Sequence, residues 1–223
     1  MVKVKICGIT SLEDAVMACK CGADLLGFIF IENTPRNMEI NVVKDIIFSL
    51  NMTGFSNVAK VGLFKDEEKE KASDIIMFCG LDHVQLHGKE DPEYCKALKM
   101  SVSEKCERDI KIIKAFKIAD KILPNGDHDI SEYDSTDYLV FDTFKAGLDG
   151  GTGKEFDWEI LIQDRVNIKK QFFVAGGLTP ENVKEAVKRI QPYGVDVSSG
   201  VEEITGKKDE KLLKEFVKNA KST

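Results

Sequence analysis

Eight short apolar runs, separated by stretches of helical periodicity, constrain this 223-residue chain more than any other feature. Val2–Ile6 alternates and stops at Cys7-Gly8, and Asp24–Phe30, Val58–Phe64, Asp82–His87, Ile110–Phe116 and Asp137–Asp142 follow. Phe172–Ala175 and Gly194–Val197 complete the set. Runs such as Asp24–Phe30 are nearly continuous in apolar residues, as strands buried on both faces of a parallel sheet require. Between them, Ser11 caps a helix through Cys21, with Asp14 three residues on in capping-box position. Val42, Val43, Ile46, Ile47 and Leu50 keep a helical period, and a charged helix is expected from about Glu67 to Phe78. Asp91-Pro92 opens the next, and Leu212, Leu213, Phe216 and Val217 mark the last. Met100–Asp109 and Asn125–Asp137 are the least legible, and a poorly formed helix and surface loops are expected there.

Strand–helix alternation with short connections implies a parallel sheet with right-handed crossovers. Eight repeats favour closure, so the expectation is an α/β fold, a (β/α)8 TIM barrel, as a single domain over 1–223. No Pro/Gly/Ser-rich linker divides it. An open doubly wound sheet would place its glycine-rich turn after the first strand. Here the glycines gather at the other end.

Phe172–Ala175 stops at Gly176-Gly177, with Thr179 expected as helix N-cap and Pro180 at the first helical position. Gly194–Val197 stops at Ser198-Ser199-Gly200. Backbone N–H groups beside glycine approach a ligand closely, and a helix N-terminus adds partial positive charge. Two donor-rich strand ends in succession match the phosphate site that such barrels build after strands 7 and 8.

Active groups of a barrel lie at the C-terminal ends of its strands. Those ends carry Cys7, Arg36 in the second loop, Gln85 and His87, Asp142, Gly176-Gly177 and Ser198-Ser199. A thiol and a carboxylate across one mouth can serve as base and acid. Nearby positive charge would bring the Cys7 thiol below its usual value of about 8.5, whereas a buried small hydrophobe would be inert. Asp142 could instead cap a turn, and His83 and His87 read as structural histidines. Without a third ligand at metal spacing, no metal is expected. Lys145–Lys154 is dense in glycine but lacks P-loop spacing, because Glu155 follows Lys154. It is expected to fold over a substrate and give N–H donors to phosphate.

The net charge of −6, with both signs interspersed, leaves no footprint for nucleic acid. No apolar run is long enough to span a bilayer, and the start of the sequence shows no signal peptide, so a cytoplasmic protein is expected. The six cysteines fit neither zinc nor redox spacing and read as free thiols, with Cys19 and Cys79 as core filler.

Taken in order, Lys5–Thr10, Gly27–Phe30, Thr34-Pro35-Arg36, Val84–Gly88 and Phe141-Asp142-Thr143 closely resemble the phosphoribosylanthranilate isomerase family of tryptophan biosynthesis. Gly150–Gly153 with Phe156-Asp157-Trp158, Ala175–Leu178 with Asn182, and Gly194–Glu202 extend the resemblance to nearly the whole chain. Thr34 replaces the family's usual serine, and the region around Met100–Asp109 looks longer than usual. The resemblance implies an Amadori rearrangement of N-(5-phosphoribosyl)anthranilate, a small phosphosugar, with no cofactor. It implies Asp142 as general acid at the ring oxygen and Cys7 as general base at C2′. Arg36 would meet the anthranilate carboxylate, and Gln85, His87 and Asp196 would complete the substrate-binding set. Gly153, Gly176, Gly177, Ser198, Ser199 and Gly200 would bind phosphate. The histidine-pathway sugar isomerases look like they place an aspartate where this chain has Cys7. A barrel kept only for binding would need neither Cys7 nor Asp142. Whether the chain is a monomer or a homodimer stays open.

Overall fold

Side-chain alternation along each strand decides what faces inward, and eight parallel strands use it to close a barrel in sequence order. The computed structural model describes residues 1–106, 109–118, 121–122, 124–126, 128–143, 158–165 and 168–222. The strands are β1 (Lys3–Cys7), β2 (Leu25–Ile29), β3 (Ala59–Phe64), β4 (His83–Leu86), β5 (Lys111–Ile118), β6 (Tyr138–Thr143), β7 (Phe172–Val174) and β8 (Gly194–Val197). β1 pairs with β8 in the register Lys5–Asp196, which shuts the sheet. Outside it lie α1 (Leu12–Cys21), α2 (Ile40–Met52), α3 (Lys69–Cys79), α4 (Pro92–Cys106), α5 (Glu159–Asp164), α6 (Val183–Ile190) and α7 (Glu210–Lys221). Among the described residues no helix is long and apolar enough to cross a membrane.

Two hydrophobic clusters follow from the alternation. Val4, Ile6, Leu26, Phe28, Val84, Leu86, Leu139 and Phe141 point outward into the larger one, packed under the helices. Leu25, Val61, Ile113, Val140 and Phe173 fill the interior, over stacked Tyr138 and Tyr193. The barrel is a packed core, open to chemistry at one end.

Several elements differ from the sequence expectations. Helix α4 continues through Met100–Cys106 because Cys95, Leu98 and Val102 bury at helical spacing. Between β5 and β6 the described residues hold a 3₁₀ turn, Ile130–Glu132, capped by Asp129. Ser11 accepts from the Asp14 N–H as expected. Thr179 is not a cap. Its N–H donates to Asn182 Oδ1, closing a turn that delays α6 to Val183. After β8, a short hairpin of β9 (Glu202–Ile204) and β10 (Lys207–Lys208) precedes α7 and was not anticipated.

Two buried ion pairs pin the open end. Lys114 donates to Glu90 at 2.8 Å and to the carbonyls of Leu86 and Gly88, fixing the loop after β4. Glu90 also accepts from the Asp66 and Gly88 N–H groups. In the hairpin, Lys208 donates to Glu202 at 2.8 Å, to Cys7 O at 2.7 Å and to Ser198 O at 3.2 Å. It therefore staples β1 to the end of β8. Burial pushes the Glu202 carboxyl up, but Arg36 and Lys208 outweigh that and hold it at about 2, against 4.5 when exposed.

Removing one member of a buried pair strands the other. Lys114→Met should lower stability by roughly 3–5 kcal/mol in urea unfolding, and Glu90→Gln in the same chain should restore part of it. A loss under about 1 kcal/mol would show that backbone N–H groups alone satisfy Glu90. The Glu202 carboxylate is favoured in the folded chain, so its stabilisation is complete above pH 4.5 and fades as pH falls through about 2. Acid unfolding of Glu202→Gln should lack that part of the slope, whereas an acid limb identical to the parent's would refute the assignment.

Candidate functional site

The residues singled out in the sequence converge on the C-terminal rim of the barrel. Cys7 ends β1, points inward and is buried. Lys5, two residues earlier on the same face, donates to Asp196 Oδ2 at 2.8 Å inside the barrel. Burial is the largest influence on the Cys7 thiol and pushes it up, Asp196 adds to that, and Lys5 and Lys208 pull it back without winning. Cys7 therefore rests as a protonated thiol, against the expectation that neighbouring charge lowers it. A low-dielectric pocket penalises the thiolate more than two ammonium groups offset.

Gly8 adopts φ 72° and lies under the Arg36 side chain, where a Cβ would strike Arg36 Cδ and Ser198 Oγ. That close approach brings the loop after β2 over the end of β1. Arg36 then forms a fork on Glu202, Nε to Oε1 at 2.8 Å and Nη2 to Oε2 at 2.6 Å. Among the described residues the planar guanidinium is held by one edge, which leaves its Nη1 side for a second planar acceptor.

On the far side, Gln85 and His87 leave β4 and its loop, and Asp142 lies near the end of β6. Gln85 Nε2 meets His87 Nδ1 at 3.2 Å, and His87 Nε2 lies 3.4 Å from Asp142 Oδ2. Donation by the Gln85 amide to Nδ1 puts the ring proton on Nε2, facing the carboxylate. Asp142 keeps about a third of its side chain in solvent, so it faces the mouth rather than capping a turn. Three buried polar atoms have no hydrogen-bond partner here among the described residues: Gln85 Oε1, Asp196 Oδ1 and Ser198 Oγ. Orphaned acceptors and hydroxyls at one mouth are ready to meet a hydroxylated ligand.

Gly176 and Gly177 take φ 84° and 66°, and Asn182 Nδ2 donates to Gly177 O at 3.0 Å, pinning the turn. Beside it, Ser199–Val201 forms a 3₁₀ turn directly after β8. Gly200 lies against Leu178 O so closely that no Cβ fits, which joins the two turns into one rim. Gly153 and the rest of the loop 145–154 lie outside the described residues. Sequence reasoning missed Lys5, Lys208 and Glu202, which hold this rim. Lysines two apart in an alternating strand gave no sign that one of them turns into the barrel.

The description N-(5′-phosphoribosyl)anthranilate (PRA) isomerase belongs to a family model that matches residues 4–219. The chain is 40% identical to the N-(5′-phosphoribosyl)anthranilate isomerase of Rubrobacter xylanophilus over 222 residues, all of both chains. It is similar along its whole length to the crystal structure of the Thermotoga maritima enzyme, with 38% identity, full coverage of both chains and a TM-score of 0.84. A phosphoribosyl anthranilate isomerase crystallised with reduced 1-(o-carboxyphenylamino)-1-deoxyribulose 5-phosphate matches at 36% identity, full coverage of both and a TM-score of 0.80. Matched from its first strand to its last helix, the chain belongs to the N-(5′-phosphoribosyl)anthranilate isomerase family.

Proposed function

We propose that Cys7 and Asp142 divide the proton transfers of the family's reaction, the Amadori rearrangement of N-(5′-phosphoribosyl)anthranilate in tryptophan biosynthesis. The isomerase activity goes with the family. One observation carries it. Cys7 and the His87–Asp142 pair stand at the same barrel end as the Gly176-Gly177 and Ser198–Gly200 turns.

A phosphate seated on the two turns would fix one end of the substrate, and the Nη1 side of Arg36 would meet the anthranilate carboxylate at the other. Anchored at both ends, the ribose lies between the two proton-transfer groups, which turns their encounter into an intramolecular one. Asp142 in its acid form gives a proton to the ring oxygen, the C1′–O bond breaks and a Schiff base forms. Cys7 as thiolate then takes the proton from C2′, giving an enolamine that tautomerises to the ketone. Gln85, His87 and Asp196 surround the ribose and orient its hydroxyls. The reaction needs one partner, the phosphosugar, and no cofactor, in a cytoplasmic enzyme that works as a monomer or a homodimer.

Loss of the anthranilate fluorescence of substrate generated in the cuvette tests this directly. Cys7→Ala and Asp142→Ala should each lower kcat by roughly 10²–10⁴-fold, with smaller changes in KM. Turnover near that of the parent in either variant would remove that residue from the mechanism. Arg36→Met should act mainly on KM, because it removes a contact made before and during the chemistry alike. An unchanged KM would place the carboxylate elsewhere.

A further inference from the structure

The proposed base rests as a buried thiol, so something must make its anionic form reachable. Lys5 is the candidate on geometry. It shares a strand face with Cys7, as residues two apart do. Its ammonium is wholly buried, bonded to Asp196 at 2.8 Å. A Cβ added at Gly27 would lie 2.8 Å from Cys7 Sγ and 3.2 Å from Lys5 Nζ, so sulfur and ammonium share one pocket over the second strand. An ammonium has three N–H donors, and Asp196 takes one. The sulfur lies in the same pocket as the others.

We propose that Lys5 is a positioning residue for Cys7: anchored by Asp196, its ammonium faces the sulfur and supplies the counter-charge of the thiolate. This rests on the reading of Cys7 as base. Lys5 itself meets no substrate and gives up no proton. Its partnership with Asp196 and Cys7 keeps it charged, against the opposing effect of burial.

Among the described residues, the charged groups facing the sulfur come from four elements. Lys5 stands on β1 and Asp196 on β8, while β10 supplies Lys208, backed by Glu202 and Asp14. Arg36 approaches from the loop after β2. β2 presents Gly27. Of these, Lys208 bonds the Cys7 carbonyl and Arg36 is held on Glu202, so the ammonium committed to the side chain is that of Lys5.

The pH dependence of Cys7 alkylation by iodoacetamide, followed at the Cys7 peptide by mass spectrometry, separates this thiol from the other five. In Lys5→Gln the midpoint should rise by ~1–3 pH units, the effect of losing an opposite charge at 4–6 Å. The ascending limb of kcat should move with it while KM changes little. Lys5→Arg should restore most of the midpoint. Asp196→Asn removes an anion facing the sulfur and should move the midpoint down; it carries the test with the opposite sign if Lys5→Gln does not fold. General structural damage does not produce shifts of opposite sign. A midpoint unmoved in Lys5→Gln, or unmoved or raised in Asp196→Asn, would overturn the inference. Cys7→Ala distinguishes the two readings. If that variant turns over normally, the base assignment fails; if it is inactive while the midpoints stay fixed, only the role of Lys5 fails.

Discussion

Closure of β1 against β8 is the constraint on which the rest depends. The Lys5–Asp196 bond crosses that seam inside the barrel, and Lys208 staples the same seam from outside through the Cys7 and Ser198 carbonyls. Breaking the ring there would expose two buried ammonium groups and separate the thiol from the turns beside it. A parallel barrel has no free edge to absorb a register slip, and a shift of one residue would turn Lys5 into the apolar layer under the helices. The ion pair thus enforces the register that places Cys7 at the rim.

Much of this architecture is legible in the sequence, and the reasons differ from element to element. Runs such as Leu25–Ile29 declare buried strands because both faces need apolar side chains. Strand ends are where barrels keep their chemistry, which is why Cys7, Gln85, His87 and Asp142 stood out before their contacts were known. Long-range electrostatics is a different matter. The resting state of Cys7 follows from burial against Lys5, Asp196 and Lys208, the last two nearly 200 positions away, and no local pattern encodes that sum. The hairpin is too short and too polar to register as strands, yet it delivers Lys208. Helix α4 was readable in principle from Cys95, Leu98 and Val102, but lysine and serine between them masked the period.

Both ends of the site are built before any ligand arrives. Glu202 holds one edge of the Arg36 guanidinium, so its plane is set and no rotamer freedom is lost when a carboxylate reaches the other edge. Gln85 does the same for His87 by choosing its tautomer, and the Lys114–Glu90 pair steadies the loop that carries the ring. Gln85 Oε1, Asp196 Oδ1 and Ser198 Oγ, which have no partner among the described residues, mark where the rim can take up further hydrogen bonds.

The β1–β8 seam also sets an order of events during synthesis on the ribosome. The thiol at position 7 precedes its ring of partners, which is encoded at 196, 198, 202 and 208. Until the eighth strand and its hairpin follow, Lys5 and the Cys7 carbonyl lack these partners. The rim is therefore complete only when the eighth strand and its hairpin reach back to the first, and a chain that stops short of them has no working fragment of the site.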